Sequence, residues 1–211
     1  MSLDVDERRV KTDIVLAGVG GQGILTMALL IVSAGQREGL NVRQAEVHGM
    51  SQRGGAVEAH VRLSSAALYS DIVPKGRADL IIATEPIEAL RHREYLSPSG
   101  RIITNTVPFK NIPDYPAPER VVQLLRECGR KVYLLDAAAV GREAGNVRAQ
   151  NVALVGAAAK FLGLREETLR LSVAATFQAK GQTIADINLR ALTLGAARIR
   201  ELQGEAARCP L

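Results

Sequence analysis

The chain has 211 residues, enough for one large domain whose core needs no staples. Hydrophobic residues make up 47% and charged residues 23%, the balance of an ordinary globular protein, while 3% aromatics and no tryptophan argue against nucleic-acid binding by base stacking. The formal charge of +5 is spread along the chain and suits acidic partners such as phosphate groups or an electron carrier.

Residues 1–12, with Arg8, Arg9 and Lys11, read as a flexible terminus. Asp13–Ala17 is an apolar strand running into glycines, and Gln22–Glu38 follows as a helix. That helix is apolar almost all round between Ile24 and Val32, as a helix covered on two sides would be. Gly39 ends it, and Asn41–Glu46 reads as a second strand. The stretch "VHGMSQRGG", Val47–Gly55, has no apolar period and is a loop. Ala56–Leu63 then alternates, with Val57, Ala59, Val61 and Leu63 on one face and Glu58, His60 and Arg62 on a wet one. One wet face favours antiparallel pairing, here with Ala67–Ser70 across Ser64–Ser65.

Asp79–Ala83 is the next strand, and Thr84 or Glu85 caps a helix with Pro86 in its first turn. Arg101–Asn105 is a strand, Asn111–Pro118 a proline-rich loop, Glu119–Gly129 a helix, and Lys131–Leu135 a strand ending at Asp136. Three helices close the chain at Gln150–Leu162, Glu166–Phe177 and Ile184–Leu202. Alternating strands and helices predict a single α/β domain over residues 1–211, a three-layer Rossmann-like fold. Its mainly parallel sheet carries helices on both faces and an antiparallel hairpin around residues 56–70.

"AGVGGQG", Ala17–Gly23, places glycines at 18, 20 and 23 between a strand and a helix, the setting of a dinucleotide fingerprint. Glu46, 23 residues beyond Gly23, stands about where a ribose-binding carboxylate belongs. One reading is therefore a self-contained NAD(P)- or FAD-binding oxidoreductase or redox sensor. The other is a tight turn that packs a helix closely on its strand with no ligand. No hydride-transfer constellation accompanies the glycines.

Four further stretches are more specific in combination: "VLAGVGGQGILT" (Val15–Thr26), "AEVHGMSQRGGAVEAHVRLS" (Ala45–Ser64), "IVPKGRADLIIATEPIEALR" (Ile72–Arg91) and "NVALVGAAAKFLGL" (Asn151–Leu164). With "NLRALTLG" (Asn188–Gly195), they make the chain resemble the gamma-type subunit or domain of the 2-oxoacid:ferredoxin oxidoreductases. "EVHGMSQRGG" is most similar to the beta subunit of the indolepyruvate enzymes. The resemblance implies a share in an enzyme that decarboxylates a 2-oxoacid on thiamine diphosphate. Such an enzyme passes electrons through [4Fe-4S] clusters to ferredoxin and the acyl group to coenzyme A.

This chain has no Gly-Asp-Gly run followed by an asparagine pair, the expected mark of a thiamine site. A four-iron cluster needs four cysteines, and there are two, Cys128 and Cys209. Their spacing matches no metal or redox motif and points to a reducing, cytoplasmic setting. Thiamine diphosphate and the clusters are expected in a large alpha-type partner subunit, with ferredoxin reached through the complex and homo-dimerisation left open. No catalytic residue is assigned to this chain. His48, Gln52 and Arg53 are candidates for the rim of the site or the subunit interface, because Arg53 can pair bidentately with a carboxylate or phosphate.

Gly18, Gly20, Gly21, Gly23, Gly54, Gly55 and Asp136 are candidates for cofactor contact, with coenzyme A the ligand in view. Asp136 is equally suited to cap the next segment, as is Asn151 to cap a helix. His60 reads as structural, Cys128 as half-buried in a helix and Cys209 as part of a loose tail. No metal, nucleic-acid or membrane role is expected. The run Ile24–Ala34 is too short to cross a bilayer.

Overall fold

A computed structural model describes residues 9–48, 54–110 and 114–208. Six strands, β1 (Lys11–Val19), β2 (Asn41–His48), β3 (Ala56–Ser64), β4 (Ala78–Ala83), β5 (Leu96–Asn105) and β6 (Lys131–Leu135), form one sheet in the order β2-β3-β1-β4-β5-β6. β1, β4, β5 and β6 run parallel, and β3 alone runs against both its neighbours. Central strands of such a sheet are covered on both faces, which is why β1 is buried from Thr12 to Val19 and reads as an almost unbroken apolar run.

Side chains alternate between two cores. Ile14, Leu16, Leu80, Ile82 and Ile103 face a layer built from α1 (Ile24–Arg37), α4 (Ala137–Ala144), α5 (Gln150–Ala158), α6 (Glu166–Gln178) and α7 (Gln182–Arg208). Val15, Ala17, Ile81, Ala83 and Ile102 face α2 (Pro86–Arg91) and α3 (Pro118–Glu127). The expected three-layer α/β architecture is the observed one.

Five details differ. β3 pairs along its whole length with β1 on one side and with β2 on the other, so Ala67–Ser70 has no strand to join and forms none. The segment after β3 crosses the polar face instead: Arg62 Nη1 donates to the carbonyls of Ser70 and Ile72, and the Val73 N–H donates to His60 Nδ1. That face is therefore not wet. His60 is buried, and Arg62 donates to both carboxylate oxygens of the buried Asp13, at 2.8 and 3.3 Å. An ion pair this enclosed ties β3 to β1, because either charge left alone there would be expensive.

Part of the stretch expected to be a flexible terminus is strand. Lys11 and Thr12 already belong to β1, with Thr12 donating its hydroxyl to the Leu162 carbonyl. α1 is not covered all round, since Leu25 and Leu29, one turn apart, are exposed. Finally, α4 is a helix that the residue pattern had not suggested, capped by Asp136 and closed by Gly145 at φ 117°. Its buried face, Ala137, Ala138, Val140, Gly141 and Ala144, has helical spacing but spans only eight residues of mostly small side chains.

The α5–α7 contact depends on missing side chains. A Cβ on Gly156 would lie 2.1 Å from the Leu192 carbonyl oxygen, and one on Gly195 would lie 2.0 Å from that of Ala153. Neither clash is relieved by a rotamer change, because backbone is struck. Gly156→Ala is expected to force the helices apart and lower stability by about 2 kcal/mol in a denaturant titration. An unchanged midpoint would show that the helices separate freely.

Candidate functional site

The chain leaves β1 to form α1 on one face of the sheet and leaves the adjacent β4 to form α2 on the other. Such a reversal opens a crevice at the carboxyl ends of the two strands, where open α/β sheets take ligands. Gly18–Gly23 from β1 and Thr84–Glu85 from β4 meet there. Gln22 fills the gap: its Oε1 accepts from the Val19 N–H at 2.9 Å and from the Thr84 hydroxyl at 2.7 Å.

Each glycine of the turn is accounted for differently. A Cβ on Gly18 would lie 2.0 Å from Thr84 Oγ1, so this glycine lets β4 close on β1. Gly20 donates its N–H to the Gly55 carbonyl at 2.8 Å and accepts from the Gly54 N–H at 3.4 Å. The second glycine of the fingerprint is thus engaged by this chain's own β3 entry and does not offer its N–H to a phosphate. Gly23, at φ 82°, would drive a Cβ to 2.3 Å from Asn151 Nδ2. Gly21, at φ 97°, faces open space.

Asn151 does not cap α5, as had been one expectation; Ala149 holds that position. Its side-chain amide donates to the Gly23 carbonyl at 3.3 Å and accepts from the Val152 N–H, clamping the turn from 128 residues away. Gln22, Thr84 and Asn151 are the residues the sequence reading missed. Only their proximity in space gives them this role.

Of the candidates, Gly18, Gly20, Gly21, Gly23, Gly54 and Gly55 come together. Gly20, Gly21 and Gly23 border an apolar cavity of about 360 Å³ that Val19, Ile24, Leu25 and Val57 also line. α1 begins there with no side-chain cap and no acidic residue in its first turn, leaving its first amides available to an anion. Asp136 lies elsewhere. It ends β6, three strands from β1 or about 14 Å across the sheet, and caps α4 through the Ala139 N–H at 2.7 Å.

Glu46 is on β2, separated from β1 by the whole of β3, and accepts from Gln44 at 2.6 Å. The inserted strand moves that carboxylate away from the glycine turn, so the ribose contact of a dinucleotide fold is not assembled. His48 closes β2, and its side chain lies outside the described residues, as do Gln52 and Arg53. Cys128 sits half-buried at the end of α3. Among the described residues no group of three or more potential metal ligands occurs, and no helix is long and apolar enough to cross a membrane.

Beside the crevice, Glu85 accepts from the Ile87 and Glu88 N–H groups at the start of α2 and from the Tyr115 hydroxyl. Burial and that bond to a carboxylate push the Tyr115 phenol well above its usual range. Glu88 is buried, pairs with Arg91 through Oε1 at 2.7 Å, and leaves Oε2 without a partner. Burial raises its carboxyl above the ordinary range.

Fold and site together define an α/β domain whose glycine turn is locked into its own scaffold and whose described residues form no cluster of three or more potential metal ligands. The chain belongs to the pyruvate ferredoxin/flavodoxin oxidoreductase family, whose profile matches residues 13–198. It is 40% identical to the indolepyruvate oxidoreductase subunit IorB of Thermococcus kodakarensis over 201 residues, covering 91% of this chain and 98% of that one. The corresponding subunit of Pyrococcus horikoshii is 38% identical, over 90% and 96% of the two chains. Among solved structures, the 2-oxoglutarate:ferredoxin oxidoreductase of Magnetococcus marinus, with 2-oxoglutarate, coenzyme A and succinyl-CoA bound, superposes at a TM-score of 0.73 with 24% identity. The match covers 92% of this chain and 32% of that one, and shows the shared fold.

Because Glu88 binds its proton more tightly folded than unfolded, its contribution to stability is greatest in acid and lost as pH rises through the raised value. Glu88→Gln is expected to raise the melting temperature near neutral pH, with the gain shrinking toward zero as pH falls to about 4. A gain independent of pH would assign the effect to packing instead.

Proposed function

We propose that this chain is the small, cofactor-free subunit of a 2-oxoacid:ferredoxin oxidoreductase acting on indolepyruvate or a related arylpyruvate. The 2-oxoacid loses carbon dioxide on thiamine diphosphate in a large partner subunit. Two electrons pass through that subunit's clusters to ferredoxin, and the acyl group passes to coenzyme A. The observation that carries this reading is the match, over nearly the full length of both chains, to subunits of indolepyruvate oxidoreductases by a chain with only two cysteines.

Three features support a docking role beside an active site. Leu25 and Leu29 are exposed on α1 next to the glycine turn, and Val47 is exposed near the end of β2. Exposed apolar side chains at the mouth of an apolar cavity suit a protein interface better than open solvent. The 48–55 stretch, with His48, Gln52 and Arg53, joins β2 to β3, whose Val57 lines this cavity, and Arg53 supplies a cation for a substrate carboxylate or an acidic partner group. The uncapped start of α1 beside Gly21 and Gly23 offers amides to an anionic group of coenzyme A.

Co-expression with a thiamine- and cluster-bearing large subunit is expected to yield a stable complex that reduces ferredoxin with an arylpyruvate, each chain alone being inactive. Arg53→Ala within the complex is expected to lower kcat/KM by about tenfold or more with assembly intact. Full turnover by the large subunit alone, or failure of the chains to associate, overturns the reading.

A further inference from the structure

On the other side of the glycine turn lies a second cavity of about 510 Å³, within the range of small-molecule sites. Gly21 and Gly23 border both cavities. The walls of the second come from distant parts of the chain: the Asn146–Asn151 segment before α5, the end of α6 and the first turns of α7.

Its lining combines cations, side-chain amides and apolar groups with no acidic residue. Arg148 and Lys180 both line it, and neither forms an ion pair among the described residues. No Asp or Glu is among the lining residues, so the cavity itself supplies neither cation with the kind of carboxylate that Arg198 finds in Glu143 or Lys75 in Glu94. Lys180 lies 5.4 Å from the centre of the Phe177 ring, which steadies its stem at the cavity edge. Two like charges brought to one concavity without a counter-charge raise the local positive potential, a cost that an anion removes.

A third group adds a different requirement. Asn188 is 6% exposed, and its amide nitrogen donates to the Ile184 carbonyl at 2.8 Å. That bond fixes which end of the amide is which, because a carbonyl oxygen cannot face another. Oδ1 is then the free end. It accepts no hydrogen bond among the described residues, and it is not among the atoms sealed within protein, so it opens to the cavity that Asn188 lines. An enclosed acceptor of this kind calls for an N–H or O–H donor on the ligand. Phe177, Ile184 and Ile187 supply apolar wall between the cations and the amide.

We propose that this cavity is a binding site for an organic phosphate of the nucleoside diphosphate class. Arg148 and Lys180 hold the phosphate oxygens, Asn188 Oδ1 accepts from a donor on the base or sugar, and the apolar wall covers the rest. The same chemistry is presented by a free nucleotide and by the nucleotide end of coenzyme A. The site is built from this chain alone, so it stands independently of whether the chain docks on a larger subunit.

Titration calorimetry on the full chain, with ADP, coenzyme A and inorganic pyrophosphate as probes, tests it. ADP or coenzyme A is expected to bind, with pyrophosphate competing, and affinity is expected to fall as salt is raised. Preference for coenzyme A over ADP would name the coenzyme as the source, and the reverse a free nucleotide. The Arg148→Ala/Lys180→Ala double variant, which among the described residues removes no ion pair or side-chain hydrogen bond and only the Lys180–Phe177 ring contact, is expected to bind about tenfold or more weakly while its circular dichroism shows the fold retained. Asn188→Leu is expected to weaken ADP binding while leaving pyrophosphate binding as it was. Absence of binding by all three probes at millimolar concentration, or unchanged affinity in the double variant, overturns the assignment. Association with a large subunit is scored separately by co-purification, so the two readings fail by different results.

Discussion

Close approach of backbone at the end of β1 is the constraint from which the rest of the site follows. Three contacts meet within six residues: β4 closes on Gly18 through Thr84, the β3 entry bonds to Gly20, and Asn151 of α5 presses on Gly23. The contacts at Gly18 and Gly23 occupy space that a side chain would need, and the one at Gly20 uses its backbone amide. The three therefore lock sheet, inserted strand and helical layer into one relation, and they set where cavities open on either side of the turn. Gln22 completes the lock by bonding across the crevice to β4.

A turn so fully engaged by its own protein differs physically from one that cradles a dinucleotide. The usual phosphate-facing amide at the second glycine is spent on Gly55, and the inserted β3 stands between the turn and the carboxylate of β2. What remains available is the uncapped beginning of α1, the bare backbone of Gly21 and the two flanking cavities. One cavity is apolar and lies beside exposed leucines, as suits contact with another protein. The other is lined by unpaired cations and an amide acceptor, as suits a small polar ligand. A single turn divides two surfaces with different chemistry.

Much of the architecture was legible because it depends on local pattern. The apolar run of β1, the alternation of β3, the Glu85–Pro86 helix start and the positive-φ glycines each carry their signal within a few residues. Where the reading failed, the deciding partner lay far away in the chain. The polar face of β3 looked wet because nothing in Glu58, His60 and Arg62 announces that Asp13 and the segment through Val73 will cover it. Asn151 looked like a helix cap because that is its commonest local use, and its actual partner is Gly23. α4 is only eight residues long, so its buried face repeats too briefly to stand out, although Asp136 and Gly145 mark its ends.

The linear sequence by itself determined the alternation of strands and helices, the strained turn after β1 and the lack of enough cysteines for an iron–sulfur cluster, since these are matters of composition and short-range geometry. Only the tertiary structure decided that β3 inserts between β1 and β2, that Gly20 is tied to Gly55, and that Arg148, Lys180 and Asn188 face one cavity. Those outcomes depend on which of several sterically acceptable pairings buries the most polar groups with partners, and that choice is made by residues tens of positions apart acting at once.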